Sequence, residues 1–537
     1  MLTRVVRSVA RQLIKDRSSL ALLADTGVGK TTLAAMLVRM PESLRKQVGR
    51  QRLIDASLFL TEGVTPTAVI EALAGQLKLE QGFAKQAAQF AARQNLSFED
   101  RELLEPLRAW MADAAAPREG ITVLIDSLDS LAESTRASVF DLLGKIDAVP
   151  EVRVVTTARS GTEPQGNQPR KPRDLNRLSK REVCVYLGRA GINPALRGVL
   201  IERIAGNWLC AVTFADYVLE QNIEDPVVLA DLTLERAFRM RLERLEIGIQ
   251  RSEDRPNSRT IVFVTLAAAG AGPVLPIELL QSACALQEDG LDSEDAVRQT
   301  LEKLGGLTMH SGAHTSEEAL GLFHNELVRH VRTDTQFSDQ LAAARSAIVQ
   351  AIQQAGTLNY STPLGRYAFS HEAEHLAELG RHKEIVSALA RLKSPIPREN
   401  RDQNQRWYER LETVLGPDHK DVLVTHDNMV AWTGQCGDAG EALRLFQALL
   451  PDRMRVRGPD NQSVLAIRSN IAHWTGQCGD AGEALRLFLA LLPDHMRVLG
   501  PDDPDVLSTR SNIADWTGHC EAPAEALQLL QGLLLDE

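Results

Sequence analysis

The fourteen residues TGQCGDAGEALRLF occur at 433–446 and again, unchanged, at 475–488. Trp432, Trp474 and Trp516 stand 42 residues apart, as do Gly416, Gly458 and Gly500. Each unit holds two helical patterns, clearest in VLAIRSNIAHWTGQC (464–478) and AGEALRLFLALLPDHM (481–496). One such hairpin cannot bury its own apolar face, so the units must stack into an all-α solenoid. Cys436, Cys478 and Cys520 share one register of the repeat, which reads as small buried packing residues rather than metal ligands. The last helical pattern, PAEALQLLQGLLLDE (523–537), is leucine-rich and carries no polar capping helix. Solenoid ends need caps, so this end is expected to continue into further repeats or to dock something.

Several repeat families share this period. The Asn-Ile-Ala of the first helix, the Gly that follows it and the Glu-Ala-Leu that opens the second resemble tetratricopeptide repeats of the long, kinesin-light-chain-like type, over 415–537. That resemblance implies a surface that takes a protein or peptide.

At 537 residues the chain is too long for one core, and three or four domains are expected. Hydrophobic residues at 44% and charged residues at 24% fit a soluble globular protein. The net charge of -11 and aromatics at 4% argue against a dedicated nucleic-acid binder, which needs basic surface and stacking groups. Six cysteines make no disulfide framework, and no C-x-x-C pair or H-E-x-x-H is present. No apolar signal segment opens the chain. The most apolar stretch, 261–280, is broken by two prolines, two glycines and a glutamate into two short helices and is not a membrane span. The expected location is cytoplasmic.

Upstream of the repeats the pattern alternates. LALLAD, RLIDASLFL, ITVLID and VRVVTTA read as buried strands, with helices at Leu33–Met40 and Pro66–Leu77, the signature of a parallel sheet with crossover helices. The expected order is a short basic amphipathic helix (1–17), an α/β phosphate-loop domain (18–172), a helical domain (173–251), a winged-helix domain (259–333), a helical linker domain (334–400) and the repeats. The first helix is expected to pack beside the first strand; a membrane-surface or partner helix is the other reading. Residues 161–172 read as a loop, and KSPIPREN (393–400) as a chain break.

ALLADTGVGKTTLA (21–34) carries the chemistry. Ala24, Asp25, Thr26, Gly27, Val28, Gly29, Lys30 and Thr31 follow the phosphate-loop motif, with Ala24 where the motif has glycine. Gly27 and Gly29 let successive amides point at phosphate oxygens. The helix starting near Lys30 adds its positive end. Lys30 supplies charge for the β- and γ-phosphates, and Thr31 a hydroxyl for Mg²⁺, with Thr32 beside it. Ala24 serves if its φ stays negative. Downstream, ITVLIDSLDS ends a strand in Asp126, a carboxylate suited to Mg²⁺ through water. Asp129 is placed to orient or deprotonate a water; the bland alternative is that Asp126 and Asp129 cap the next helix. Arg159, after VRVVTTA, can sense a γ-phosphate.

These features resemble the signal-transducing NTPases with numerous domains (STAND), nearest the NACHT branch. The resemblance rests on Ala24–Thr31, DSLD, Arg159, LSKREVCVYL (178–187), IAGNWLCA (204–211) and LFHNELVRHV (322–331), and spans 18–392. It implies ATP or ADP with Mg²⁺ as cofactors. It makes Lys30, Asp126, Asp129 and Arg159 catalytic residues, and Thr31 and Asp126 the metal-side pair. Gly206, Trp208 and their neighbours would line the nucleotide, and His324 would touch the ADP β-phosphate. Ser130 stands where NACHT proteins have a second acid, so hydrolysis is expected to be slow. No N-K-x-D motif is present, so ATP is preferred to GTP. The implied function is a molecular switch. A trigger on the repeats biases opening, nucleotide exchange drives homo-oligomerisation, and hydrolysis resets the cycle, in immune-type signalling. The output is expected from an effector lost from this chain, a separate effector protein, or the basic helix itself. The alternative is a transcription regulator that binds DNA through the winged helix. Its candidate reading helix, SEDAVRQTLEKLGG, is acidic, which disfavours phosphate contact.

Overall fold

A computed structural model describes residues 2–15, 19–24, 28–38, 45–46, 53–60, 66–77, 120–131, 133–149, 152–159, 171–175, 179–248, 257–270, 272, 274–287, 291–311 and 318–520. Two compact units divide these, meeting in sequence between Leu392 and Lys393.

The first unit opens with helix α1 (Leu2–Lys15), strand β1 (Leu20–Leu23), helix α2 (Lys30–Val38), strand β2 (Ala56–Phe59) and helix α3 (Pro66–Leu77). Strand β3 (Ile121–Asp126), helix α4 (Glu133–Asp147), strand β4 (Val152–Ala158) and strand β5 (Lys171–Asp174) complete the α/β part. The strands lie in the order β2-β3-β4-β1-β5 and every pairing is parallel. All six residues of β3 and all seven of β4 are buried. That is why both segments are continuous apolar runs: helices cover both faces of a parallel sheet. Four residues of α1, Val6, Val9, Ala10 and Leu13, join Leu20, Leu22, Leu33 and Leu37 in one core. The apolar face of α1 is therefore spent on the sheet, which removes the membrane-surface reading.

Strand β5 corrects the expected loop at 161–172, because Lys171 and Pro172 already pair with Leu20 and Ala21. Proline hides the strand in the sequence. Here it is tolerated because β5 sits at the edge of the sheet, bonded to β1 on one side.

Four helices follow: α5 (Lys180–Arg189), α6 (Pro194–Ile204), α7 (Trp208–Glu220) and α8 (Leu234–Arg244). A capping box at Ser179 and Glu182 starts α5, and the side chains of Asn193, Asn207 and Thr233 cap the other three. They share a core of Leu187, Leu196, Leu200, Phe214 and Val218.

Next come helix α9 (Ser258–Ala269), strand β6 (Leu275–Pro276), helices α10 (Ile277–Ala285) and α11 (Glu294–Leu304), strands β7 (Thr308–Ser311) and β8 (Ala319–Leu322), and helix α12 (Asn325–Thr333). The three strands form an antiparallel sheet, β6-β8-β7. This is the element order expected of a winged helix. Ten consecutive residues of α9 are buried, as in a helix packed on all sides. The apolar stretch at 261–280 is thus core, and no described helix is long and apolar enough to cross a membrane. Gly321 and Leu322 end β8, so α12 starts only after His324. Helices α13 (Ser338–Gln354), α14 (Pro363–Glu378) and α15 (His382–Arg391) finish the unit.

The second unit is a run of antiparallel helices: α16 (Pro397–Leu415), α17 (Lys420–Gln435), α18 (Ala439–Arg457), α19 (Gln462–Gln477), α20 (Ala481–Leu499) and α21 (Pro504–His519). Helix α16 begins inside the expected break at 393–400, with Pro397 at its first turn, where a missing N–H costs nothing. The final leucine-rich helix expected at 523–537 lies outside the described residues. The 42-residue register has a packing cause. A Cβ on Gly434 would fall 2.4 Å from the ring of Trp474, and one on Gly476 would fall 2.3 Å from the ring of Trp516. Trp474 and Trp516 therefore each lie on the glycine of the preceding unit. The cysteines do not pack: Cys436 is half-buried and Cys478 and Cys520 are exposed. They cap the first helix of each unit, and the amide of Cys478 donates to the Trp474 carbonyl at 3.0 Å.

Candidate functional site

In a parallel sheet the carboxyl ends of neighbouring strands lie along one edge, and here those of β1, β3 and β4 do so. The amide of Ala24 donates to the Ala158 carbonyl at 3.2 Å, holding the end of β1 against β4. Ala24 keeps a negative φ, so its methyl is no obstacle in the motif's glycine position. Asp25, Thr26 and Gly27 lie outside the described residues, as do the side chains of Thr31 and Thr32, whose backbone belongs to α2. Val28 is buried. The ammonium of Lys30 donates to the Ala24 carbonyl at 2.7 Å, closing the loop from strand end to helix start.

Gly29 adopts φ +101°, and a Cβ there would sit 3.3 Å from Cδ1 of Trp208. The positive φ favours glycine, and any side chain there would also press on the Trp208 ring. Trp208 reaches the loop because Ala205 and Gly206, both at positive φ, end α6 abruptly. Asn207 then caps α7, its side chain accepting from the Cys210 amide at 3.2 Å. The Trp208 ring also meets Tyr186 of α5, centroids 4.7 Å apart. Leu209 is buried beneath. Tyr186 escaped the sequence reading, because only the contact distinguishes it from an amphipathic-helix residue.

Asp126 ends β3 and is 3% exposed. The Thr157 hydroxyl donates to its Oδ1, and the Ser127 hydroxyl to its Oδ2 at 3.1 Å. Both hydroxyl donors come from strand ends and hold the carboxylate at the edge of the sheet. Asp129 lies one short turn on, in the 3₁₀ segment Leu128–Ser130. Its Oδ2 is 3.8 Å from Nε of Arg159, and its Oδ1 is buried without a hydrogen-bond partner among the described residues. Arg159 is exposed at the end of β4.

His324 is not in the body of a helix, as its pattern suggests, but at the N-cap of α12. There its Nδ1 accepts from the Glu326 amide at 3.1 Å. The neutral ring then carries its proton on Nε2. Burial first, and then the charge of Lys30, push its pKa down to about 4. His324 and Lys30, 294 residues apart in sequence, are thus brought within electrostatic reach of each other.

The donor set fits a magnesium-bound polyphosphate. A lysine, a strand-end carboxylate, an orphaned carboxylate oxygen and an exposed arginine follow the carboxyl ends of the neighbouring strands β1, β3 and β4. A cavity of about 150 Å³ adjoins, reached by Phe59 and Ser130 from the sheet, Arg332 of α12, and His371 and His375 of α14. Nε2 of His375 meets the Tyr367 hydroxyl at 2.8 Å, and burial holds His375 well below the usual imidazole range.

Residues 464–505 match the tetratricopeptide-repeat family model, so the repeats belong to that class. No curated protein matches the chain. Among solved structures it is similar to a STAND signal-transduction ATPase with a tetratricopeptide repeat sensor from Pyrococcus horikoshii. Identity is 11%, over 97% of this chain and 75% of that one, with a TM-score of 0.43. It is also similar to the ORC1 protein of Aeropyrum pernix, solved in complex with DNA, at 15% identity over 64% of this chain and 91% of that one, TM-score 0.31. A third likeness is BtubC of P. vanneervenii, at 12% identity over 39% of this chain and 78% of that one, TM-score 0.23. At such identities and scores the fold rests on its own topology: a parallel sheet with a phosphate-type loop, a helical and a winged region, and tetratricopeptide repeats.

Proposed function

We propose that this chain is a STAND-like, nucleotide-dependent switch with slow ATPase activity, whose repeats take a protein or peptide trigger. The single observation that carries the reading is that Lys30 lies near enough to the buried His324 for its charge to bear on that ring. It links the loop after β1 to the N-cap of α12, so one ligand between them would be felt by both regions.

Lys30 would hold the β- and γ-phosphates, and Thr31 and Asp126 would hold Mg²⁺. The Nε2–H of His324 would donate to the ADP β-phosphate. Gly206 and Trp208 would border the nucleotide beside Gly29. Bound Mg²⁺ would neutralise the charge that builds as the terminal phosphate leaves. Asp129 would take up the attacking water on its orphaned oxygen, and Arg159 would meet the γ-phosphate. With Ser130 rather than a second acid after Asp129, the residues support slow turnover, enough to reset a switch.

Opening must be won by differential binding. Inverting a population from 1:99 to 99:1 needs a preference of about 5.5 kcal/mol for the open state. The trigger and ATP would share that preference, and the open form would assemble with copies of itself, in signalling of the immune type. Light scattering on the purified chain tests this. With ADP a monomer mass is expected, and with a non-hydrolysable ATP analogue plus trigger a multiple of it. His324→Ala is expected to lower the trigger requirement. A trigger requirement in His324→Ala equal to that of the wild type would overturn this role of His324.

A further inference from the structure

Thr157 is fully buried as the penultimate residue of β4. Its hydroxyl accepts the amide proton of Ser127 at 2.9 Å and contacts Asp126 Oδ1. A hydroxyl has one proton to give. With the amide of Ser127 donating to it, that proton is directed to the Asp126 carboxylate. Ser127 supplies a second donor, its own hydroxyl, to Oδ2.

This arrangement is held at a cost. Ser127 adopts φ 65° and ψ 44°, the left-handed region, which strains a non-glycine residue by about 1–2 kcal/mol. The left-handed turn brings the Ser127 amide to Thr157 and lets the chain double back, with the Ser130 amide donating to the Ser127 carbonyl at 3.0 Å. Strain kept at a strand end, beside a buried carboxylate gripped at both oxygens, marks a group whose orientation matters.

We propose that Thr157 is a positioning residue. Its hydroxyl fixes the plane of the Asp126 carboxylate and so sets the direction in which that group would meet a divalent cation; Ser127 braces the same group. The inference rests on the nucleotide reading above and adds to it a residue with no contact of its own to phosphate or metal. Orienting partners of this kind are worth about 10–100-fold in metal affinity elsewhere.

The test compares ADP affinity in Mg²⁺ and in EDTA, for the full chain and for Thr157→Val and Thr157→Ser. The wild type is expected to bind ADP more tightly with Mg²⁺. Thr157→Val keeps the shape and removes the hydroxyl, so it is expected to lose about tenfold of the Mg²⁺ advantage, with affinity in EDTA unchanged. Thr157→Ser is expected to restore the advantage. If Thr157→Val does not fold, Thr157→Ala carries the same expectation. A full Mg²⁺ advantage in the hydroxyl-free variant would overturn the proposal, as would an equal loss in Mg²⁺ and EDTA, which marks a merely structural residue. A wild type that binds no ADP in either condition would instead remove the nucleotide reading beneath it.

Discussion

His324 keeps a neutral ring beside a lysine, and this has a signed consequence for pH. Its folded pKa of about 4 lies below the usual 6.5. The neutral ring therefore favours the folded state above pH 6.5, and that contribution is lost as pH falls from 6.5 towards 4. The full swing is at most about 3 kcal/mol. His324→Gln is expected to flatten the fall in melting temperature across that window; an unchanged slope would contradict the assignment. A second residue-scale prediction concerns Glu318, which is 1% exposed at its side chain and bound by Arg298 through two bonds of 3.1 and 2.8 Å. Arg298→Ala takes the two-bonded guanidinium away from that buried carboxylate, with His310 3.7 Å from it. Chemical denaturation is expected to register a loss of about 3 kcal/mol. A loss under 0.5 kcal/mol would mean that Glu318 is solvated.

At the scale of elements, the repeats make the sharpest prediction, since two effects oppose each other at Gly476. Alanine there improves helix propensity by about 1 kcal/mol. Its Cβ would also strike the Trp516 ring at 2.3 Å, and overpacking costs about 1–3 kcal/mol. The clash should win, so Gly476→Ala is expected to lower the stability of the chain, and a raised melting temperature would refute the tryptophan-on-glycine packing. The elements were legible where one period dominates: buried runs for β3 and β4, the 42-residue spacing for the hairpins, and the apolar stripe of α1. They were hidden where a local rule was overridden. Pro172 masked β5 because an edge strand needs no N–H on its outer side. The repeated cysteines looked buried because spacing records register, not the direction a cap residue faces. His324 fell inside a helical pattern, yet it is the cap that begins the helix. Thr157 and Tyr186 gave no signal at all, since their roles are contacts between segments far apart in the chain.

At the scale of the whole molecule, we propose that the loop after β1, the end of β3 and the N-cap of α12 serve one nucleotide. Titration calorimetry of the full chain with ADP and Mg²⁺ tests that claim most directly, with Lys30→Ala as the comparison. One binding event per chain is expected for the wild type, and no measurable heat for Lys30→Ala at an unchanged melting temperature. No heat with the wild type, or equal heat from both proteins, would contradict it.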